Sequence, residues 1–372
     1  MKMRTKLKKI TIGGYKSFAV DHPQEVELGD INILIGANGA GKSNFVSFFK
    51  MLNMMTTRAL QIFIGQQGGA NSLLHYGSKK SLQMFGKLFF ESYPLPNKVN
   101  TNEYSFKLTF AANDTLIFTE ESTAIEGRKP VNLDVGQKET ALNSDNANRV
   151  MQVFHLILKK CQFFQFHDTA LNSYIRTTTK INDCHYLYAD GGNLAAYLRM
   201  LEMKHQKYYH RIIQWIRTTV PQFHDFFLET PPDDETILLK WREKESEYIF
   251  GPNQISDGSL RFMALATLLL QPPELLPDIV IIDEPELGLH PAAIGALAGM
   301  VRTASQHCQV ILATQSPRLL DEFSPEEIIV VERDERRRCS ILKQFEQDEL
   351  NDWIEDYCLS ELWEKNILGG QP

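Results

Sequence analysis

The sequence predicts an α/β fold: a core sheet of buried parallel strands, a separate antiparallel β-lobe and a compact helical lobe. Three observations carry this. Short, mainly apolar runs at Ile31–Ile35, Ile279–Ile282 and Val310–Ala313 end at polar or glycine-rich exits, as strands buried on both faces do. Phe85–Glu91, Tyr104–Phe110 and Thr115–Phe118 are short and aromatic-rich, and the turn formers Pro94, Pro96 and Asn113-Asp114 separate them, as in antiparallel strands. Leu194, Tyr197, Leu198 and Leu201 follow the spacing of one buried helix face, but heptads are not sustained. Residues 193–222 therefore make one helix or two short ones, about 45 Å in all, and no coiled-coil arms.

In chain order, residues 1–57 hold strands at Leu7–Ile12 and Ile31–Ile35 and a helix starting near Asn44. They form the N-terminal part of the core. Residues 58–146 hold the β-lobe and then a polar segment, 121–146, that reads as a loop or interaction segment. Residues 147–250 form the helical lobe and connecting strands, with a helix over Val150–Leu158 and strands at Phe226–Leu228 and Ile237–Trp241. Residues 251–346 return to the core, through an apolar helix over Phe262–Leu270. Residues 347–372 read as a helical cap packed by Trp353, Tyr357 and Trp363.

Between the first core strand and its helix lies Gly36-Ala37-Asn38-Gly39-Ala40-Gly41-Lys42-Ser43. It fits the phosphate-loop pattern, in which glycines let backbone N–H groups curl around an anion. The helix N-terminus adds about half a positive charge. In such a loop Lys42 reaches the β- and γ-phosphates of a nucleotide and Ser43 holds Mg²⁺. Gly36, Asn38, Gly39, Gly41 and Asn44 complete the nucleotide-binding set. A chance glycine-rich turn is the alternative, and the strand before and helix after argue against it. The run Ile279–Ile282 ends in Asp283-Glu284, two adjacent acids that are costly to bury without a metal or substrate. Asp283 is placed to bind Mg²⁺ and Glu284 to polarise an attacking water. A strand end with exposed acids is the blander reading.

Ile255-Ser256-Asp257-Gly258-Ser259-Leu260-Arg261 opens the apolar helix, with Ser256 and Asp257 as candidate N-caps. Upstream of the paired acids, this segment resembles the signature of ABC-type ATPases. That family has two adjacent glycines after the serine. Here the first is Asp257, which is similar to the RecF, SMC-head and predicted-ATPase branch. Glu286–Pro291 resembles the D-loop. Gln315 stands where the family usually has a switch histidine facing the γ-phosphate. A glutamine orients water but carries no titrating proton, so the departure bears on hydrolysis rate more than on binding. Gly14-Tyr15-Lys16-Ser17-Phe18 resembles the opening turn of SMC-like heads, where a basic residue at the position of Lys16 approaches the nucleotide. A solvated turn charge is the alternative for Lys16. Phe164–Thr169 and Asp190–Leu198 also resemble that group. The segments span residues 8–332, and the chain resembles a stand-alone ABC-type ATPase head of the AAA_21, RecF-like group.

The resemblance implies ATP and Mg²⁺ as ligands and a homodimer closed around ATP, with higher assembly open. Ser256, Asp257, Gly258 and Ser259 of one copy then face the phosphate held by the other. Glu284 and Gln315 carry the hydrolytic step. ATP binding closes the dimer and hydrolysis opens it. No second catalytic module is visible in the sequence. The expected role is thus a conformational switch working with a separately encoded effector, such as a nuclease, in bacterial defence against phage. A RecF-like DNA-binding repair factor is the alternative. A transporter subunit fits the Asp257 signature and the aromatic β-lobe poorly.

Composition bounds these readings. Of 372 residues, 43% are hydrophobic and 23% charged, enough to bury a core. No window approaches the ~20 apolar residues of a membrane span, and the N-terminus leads into an amphipathic strand and not an apolar leader. The five cysteines are scattered without C-x-x-C spacing, so reduced thiols and a cytoplasmic location are expected. A net charge of −7 argues against a uniformly basic nucleic-acid surface. A local cluster remains at Lys2, Arg4, Lys6, Lys8 and Lys9, with DNA contact open. Arg336-Arg337-Arg338, preceded by Glu332, Asp334 and Glu335, reads as a solvated hairpin turn.

Overall fold

The computed structural model describes residues 4–95, 98–145, 147–231, 234–345, 353 and 356–370. Lys2, the turn former Pro96 and residues 347–352 of the expected cap lie outside them. The chain divides into two units. The first is Met1–Phe163, Pro277–Ile281 and Gln309–Pro372; the second is Phe164–Leu276 and Ile282–Cys308.

The first unit begins with β1 (Arg4–Gly13), β2 (Gln24–Glu27), β3 (Ile31–Ile35), α1 (Lys42–Thr56), α2 (Leu60–Gln66) and α3 (Ala70–Leu73). It continues with β4 (Gln83–Leu95), β5 (Lys98–Ala111), β6 (Thr115–Ile125), β7 (Val131–Asn132), α4 (Arg149–Lys159) and β8 (Cys161–Phe164). The second unit holds β9 (Thr179–Lys180), α5 (Leu194–Lys204), α6 (Gln206–Thr219), β10 (Phe223–Phe226), β11 (Thr236–Ile237), β12 (Trp241–Glu243), β13 (Ile249–Phe250) and α7 (Asp257–Leu270). After β14 (Ile279–Asp283) and α8 (Pro291–Ser305), the chain returns to the first unit with β15 (Gln309–Thr314), α9 (Pro317–Leu320), β16 (Ile328–Asp334) and β17 (Cys339–Gln344).

The core sheet has the order β17-β16-β3-β15-β14-β8. β3 runs parallel to both β15 and β16, and β17 closes one edge antiparallel. β3, β14 and β15 are buried at every position, which is why they read as continuous apolar runs. The second sheet is antiparallel, in the order β2-β1-β4-β5-β6-β7. Here the strand expected at Leu7–Ile12 behaves differently from its assignment to the core. As β1 it pairs with β4, and its largely alternating burial suits a sheet with one solvated face.

Helix α1 connects the two sheets. Phe45, Phe48 and Phe49 are fully buried, each worth about 1.5–3 kcal/mol of burial. Phe48 stacks on Phe106 of β5 at 6.0 Å and meets Tyr15 edge-on at 5.3 Å. A Cβ at Gly86 of β4 would lie 2.6 Å from the Phe48 ring, so glycine is what lets α1 seat this closely. Buried Gln309 ties β1 to the core sheet: its Oε1 accepts from Leu7 N at 2.9 Å and its Nε2 donates to Leu7 O at 2.9 Å. The α1 N-terminus is thereby held between two sheets.

Other expectations shift in detail. Residues 193–222 form two helices, broken at His205, with Leu194, Tyr197, Leu198 and Leu201 buried as expected. Among the described residues no helix exceeds the 15 residues of α1 and α8, and none is long and apolar enough to cross a membrane. Pro94 lies within β4, whereas Asn113 and Asp114 adopt left-handed φ of 61° and 53° at the β5–β6 turn. The polar segment 121–146 is not a simple loop. β6 runs to Ile125, and Leu133, Ala141 and Leu142 are buried. Glu121 is buried too, accepting from Tyr104 Oη at 2.6 Å, Ala141 N at 2.9 Å and the Thr140 hydroxyl. Desolvation raises its carboxyl above the usual range against those three bonds. The strand expected at Phe226–Leu228 ends at Phe226, and Ile237–Trp241 is divided between β11 and β12. In the C-terminal segment Trp363 is buried and Tyr357 half-buried, but Trp353 is 43% exposed and does not serve as core packing. All five cysteines are free thiols.

Candidate functional site

The glycine-rich loop leaves the C-terminal end of β3 and enters α1 at Lys42. Its glycines have separate reasons. Gly39 and Gly41 take left-handed φ of 80° and 123°. A Cβ at Gly36 would stand 2.2 Å from Val331 O, and one at Gly41 would stand 2.2 Å from Ser340 Oγ. Around Gly39 there is open space. α1 has no side-chain N-cap and no acid in its first turn, so its leading N–H groups face the loop without competing carboxylates. Lys42 is only 5% exposed and donates to the carbonyls of Gly36 and, at 3.0 Å, Ala37. A buried ammonium, an uncapped helix N-terminus and a glycine cradle fit a phosphate chain. Ser43 beside them is exposed, with its hydroxyl open to a cation.

Residues distant in sequence complete the loop's surroundings. Asn44 Nδ2 donates to Ser17 Oγ at 2.8 Å, and the Ser340 hydroxyl donates to Ala40 O. Ala37 N donates to Gly370 O at 2.6 Å, and Gly370 N donates to Glu332 at 2.8 Å. A cavity of about 480 Å³ lies between Asn38–Ala40 and Glu332, Arg333 and Gly370. A second, of about 450 Å³, is lined by Lys16, Ser17, Asn44, His75, Tyr76 and Arg333. A cavity of about 530 Å³ at Arg58 and His155 carries none of the motif residues. Lys16, with φ 48°, reaches along α1 to Ser47 Oγ at 2.8 Å and Gln67 Oε1 at 2.9 Å. It is thus a half-buried wall of the second cavity and not a solvated turn charge. Burial, followed by the charge of Lys50, lowers its ammonium pKa to about 8. Gln315 follows β15, half-buried.

The second unit gathers the remaining motif residues. β14 ends in Asp283, 9% exposed. Glu284 follows with φ 43°, a left-handed conformation uncommon for a non-glycine residue. His167 holds this corner. Its Nδ1 accepts from the Gln165 amide at 3.1 Å, so its Nε2 carries the proton donated to Asp283 O at 2.9 Å. α7 starts at Ser256, whose Oγ accepts from Ser259 N at 3.2 Å. Asp257 is the first helical residue and not a cap. Gly258 lies against the turn after the acids: a Cβ there would be 2.2 Å from Gly288 O. Arg261 binds the same turn through Leu287 O at 3.0 Å and reaches His167 O at 2.9 Å. His290 caps α8. The second unit thus assembles signature, acids and D-loop around Gly258, Arg261 and His167. Of these three, only Gly258 was singled out as a site residue in the sequence. Arg261 and His167 act through backbone carbonyls, which leaves no spacing signal.

Some residues of the basic clusters are paired with acids. Arg4 and Lys6 pair with Asp30 at 2.9 and 2.6 Å, Lys9 with Glu25 at 3.0 Å, and Arg337 with Asp334 at 3.1 Å.

Known proteins agree with this geometry. A model of the AAA_21 family, described as "AAA domain, putative AbiEii toxin, Type IV TA system", matches residues 31–321. Among curated proteins none matches the chain. Solved structures with the same fold include an Smc head bound to the C-terminal winged-helix domain of ScpA, at 15% identity and TM-score 0.61, covering 93% of this chain and 99% of that one. An Smc head with an extended coiled coil, bound to a ScpA domain and derived from Pyrococcus furiosus, has 13% identity and TM-score 0.60, covering 95% and 99%. One derived from Pyrococcus yayanosii has 10% identity and TM-score 0.54, with the same coverage. With a phosphate loop built as such a fold requires, and a family model over most of its length, this chain belongs to the AAA_21 family of P-loop ATPases.

Proposed function

We propose that the chain hydrolyses ATP at sites shared between two copies, and that ATP-driven pairing is a switch read by a separately encoded effector in bacterial defence against phage. The observation that carries the ATPase reading is buried Lys42 at the uncapped N-terminus of α1, in a loop packed so closely that a Cβ at Gly36 or Gly41 would collide with Val331 O or Ser340 Oγ. Lys42 exchanges its bonds to the loop carbonyls for the β- and γ-phosphates. Ser43 and Asp283 would hold Mg²⁺, which when bound would supply neutralising charge to the phosphates. Glu284 orients and deprotonates the attacking water, and Gln315 donates to the γ-phosphate. Ser256, Gly258 and Ser259 of the partner copy present the α7 N-terminus to that phosphate. The AAA_21 description, a type IV toxin–antitoxin protein, supports a defence setting. The pairing of Arg4 and Lys6 with Asp30 and of Lys9 with Glu25 lowers the charge this segment offers to DNA and supports a protein reader over the DNA-clamping alternative. A protein that co-purifies from the neighbouring gene supports the effector. Salt-sensitive, ATP-dependent DNA binding by the pure chain would support the alternative instead.

Glu284→Gln tests the central step. The variant keeps ATP binding, and its turnover falls about 10²–10⁴-fold, the range of a lost general base. ATP-bound dimer then accumulates, read by light scattering. Normal turnover by this variant would reassign the base.

Lys16 adds a pH dependence. Its ammonium is protonated below about pH 8 and loses its charge above it. A bound phosphate favours the charged form, so ATP affinity is full below pH 8 and weakens as the pH rises through it. Titrations of fluorescent ATP between pH 7 and 9.5 should show this inflection, and Lys16→Ala should lack it. An inflection that persists in Lys16→Ala would assign it to another group.

A further inference from the structure

The signature of this chain carries an acid where the anion is to arrive. Asp257 is the first residue of α7, its side chain 63% exposed, next to Gly258. A carboxylate there is attractive to the helix dipole but repels any phosphate approaching the same N-terminus. The structure contains a counterweight in Arg176, whose side chain is 3% exposed. Its Nε donates to Thr169 O at 2.7 Å. Nη1 donates to Pro252 O and, at 3.1 Å, to Ile255 O. Nη2 donates to Ile255 O at 3.1 Å and to Asp257 Oδ1 at 2.7 Å. All five guanidinium donors are used, on three carbonyls and one carboxylate.

We propose that Arg176 is a positioning residue for the signature: from behind, it neutralises Asp257 and fixes the turn 252–257, so that the start of α7 can accept a phosphate despite its acid. The inference rests on the shared-site reading above and extends it to a residue outside the signature. The geometry assigns two jobs to one side chain. The bonds to Pro252 and Ile255 set where the turn ends and the helix begins. The bond to Asp257 turns its carboxylate away from serving as an unpaired charge. The Arg176 hydrogen bond holds that carboxyl below the usual range against desolvation, helped by a weaker bond from Thr169 and by the charges of Arg176 and Arg261. A lysine would keep the charge but lose the fork that spans three carbonyls and a carboxylate.

A double-mutant cycle separates these jobs. Steady-state ATPase kinetics are measured for wild type, Arg176→Gln, Asp257→Gly and the double variant. Arg176→Gln should lower kcat about tenfold with KM within about twofold, because the phosphate loop is untouched. In the Asp257→Gly background the same substitution should cost less than about threefold. Arg176→Lys should recover part of the lost kcat. An equal loss in both backgrounds would make Arg176 a backbone brace only, and no loss in either would give it no role; each overturns the inference. If Arg176→Gln fails to fold, as seen by circular dichroism, Arg176→Met, which also removes the charge, carries the same cycle and is judged the same way. Wild-type turnover abolished by Lys42→Ala keeps the functional reading in force whatever Arg176 shows. A wild type that neither hydrolyses ATP nor pairs with it removes that reading and the inference together.

Discussion

Lys42→Ala is expected to weaken ATP binding about a hundredfold or more and to leave no measurable turnover. Two charge-assisted bonds to phosphate are lost, each worth about 1.5–3 kcal/mol. Lys16 adds its own charge but does not take over the role of Lys42, since it donates to Ser47 and Gln67 and not to the loop carbonyls. Lys42 also satisfies the carbonyls of Gly36 and Ala37, so the loop itself will loosen. Because α1 is anchored by Phe45, Phe48 and Phe49, the fold should survive. Calorimetric titration with ATP and a thermal melt check both halves. Wild-type affinity in a folded Lys42→Ala protein would overturn the assignment of the loop.

Gly258→Ala should be nearly as damaging, which is unusual for the addition of one methyl group. The expectation from sequence is that glycine permits close approach of backbone to phosphate. The structure adds a second constraint, since the new Cβ would sit 2.2 Å from Gly288 O. Both partners are backbone, so the D-loop turn must move, and Glu284 lies four residues upstream of Gly288. Gly258→Ala should therefore lower kcat strongly while ATP binding by the phosphate loop is kept. Gly258→Arg should do the same more severely. Mixed with Lys42→Ala subunits, Gly258→Ala should regain only a small part of the activity: one heterodimer site joins an intact phosphate loop to an intact signature, but its Glu284 comes from the Gly258→Ala copy, beside the displaced turn. Full activity of Gly258→Ala alone would show that a single copy hydrolyses ATP unaided.

The legible parts of this protein were those whose cause is local. β3, β14 and β15 are buried on both faces, so their apolar runs stand out. Ser256 caps α7 by a bond that spans three residues, and the α5 stripe needs only helical spacing. What stayed hidden depends on partners far along the chain. β1 looks like any amphipathic strand until β4 claims it for the antiparallel sheet. Glu121 sits in a polar stretch, and only Tyr104 and Thr140 explain why it is buried. Gly370 meets Ala37 across nearly the whole chain, and Arg176 reaches Asp257 across a stretch that includes α5 and α6. Trp353 misled because a large apolar ring is no guarantee of burial.

The left-handed backbone at Glu284 also restricts which substitutions drift can fix there. β-Branched residues are excluded from that φ by their own side chains, while asparagine, aspartate and glycine are tolerated. Valine, isoleucine or threonine at position 284 should therefore cost folding stability as well as the carboxylate, whereas Glu284→Gln removes the charge alone. The backbone at this position thus decides whether losing the acid also loosens the turn that carries it.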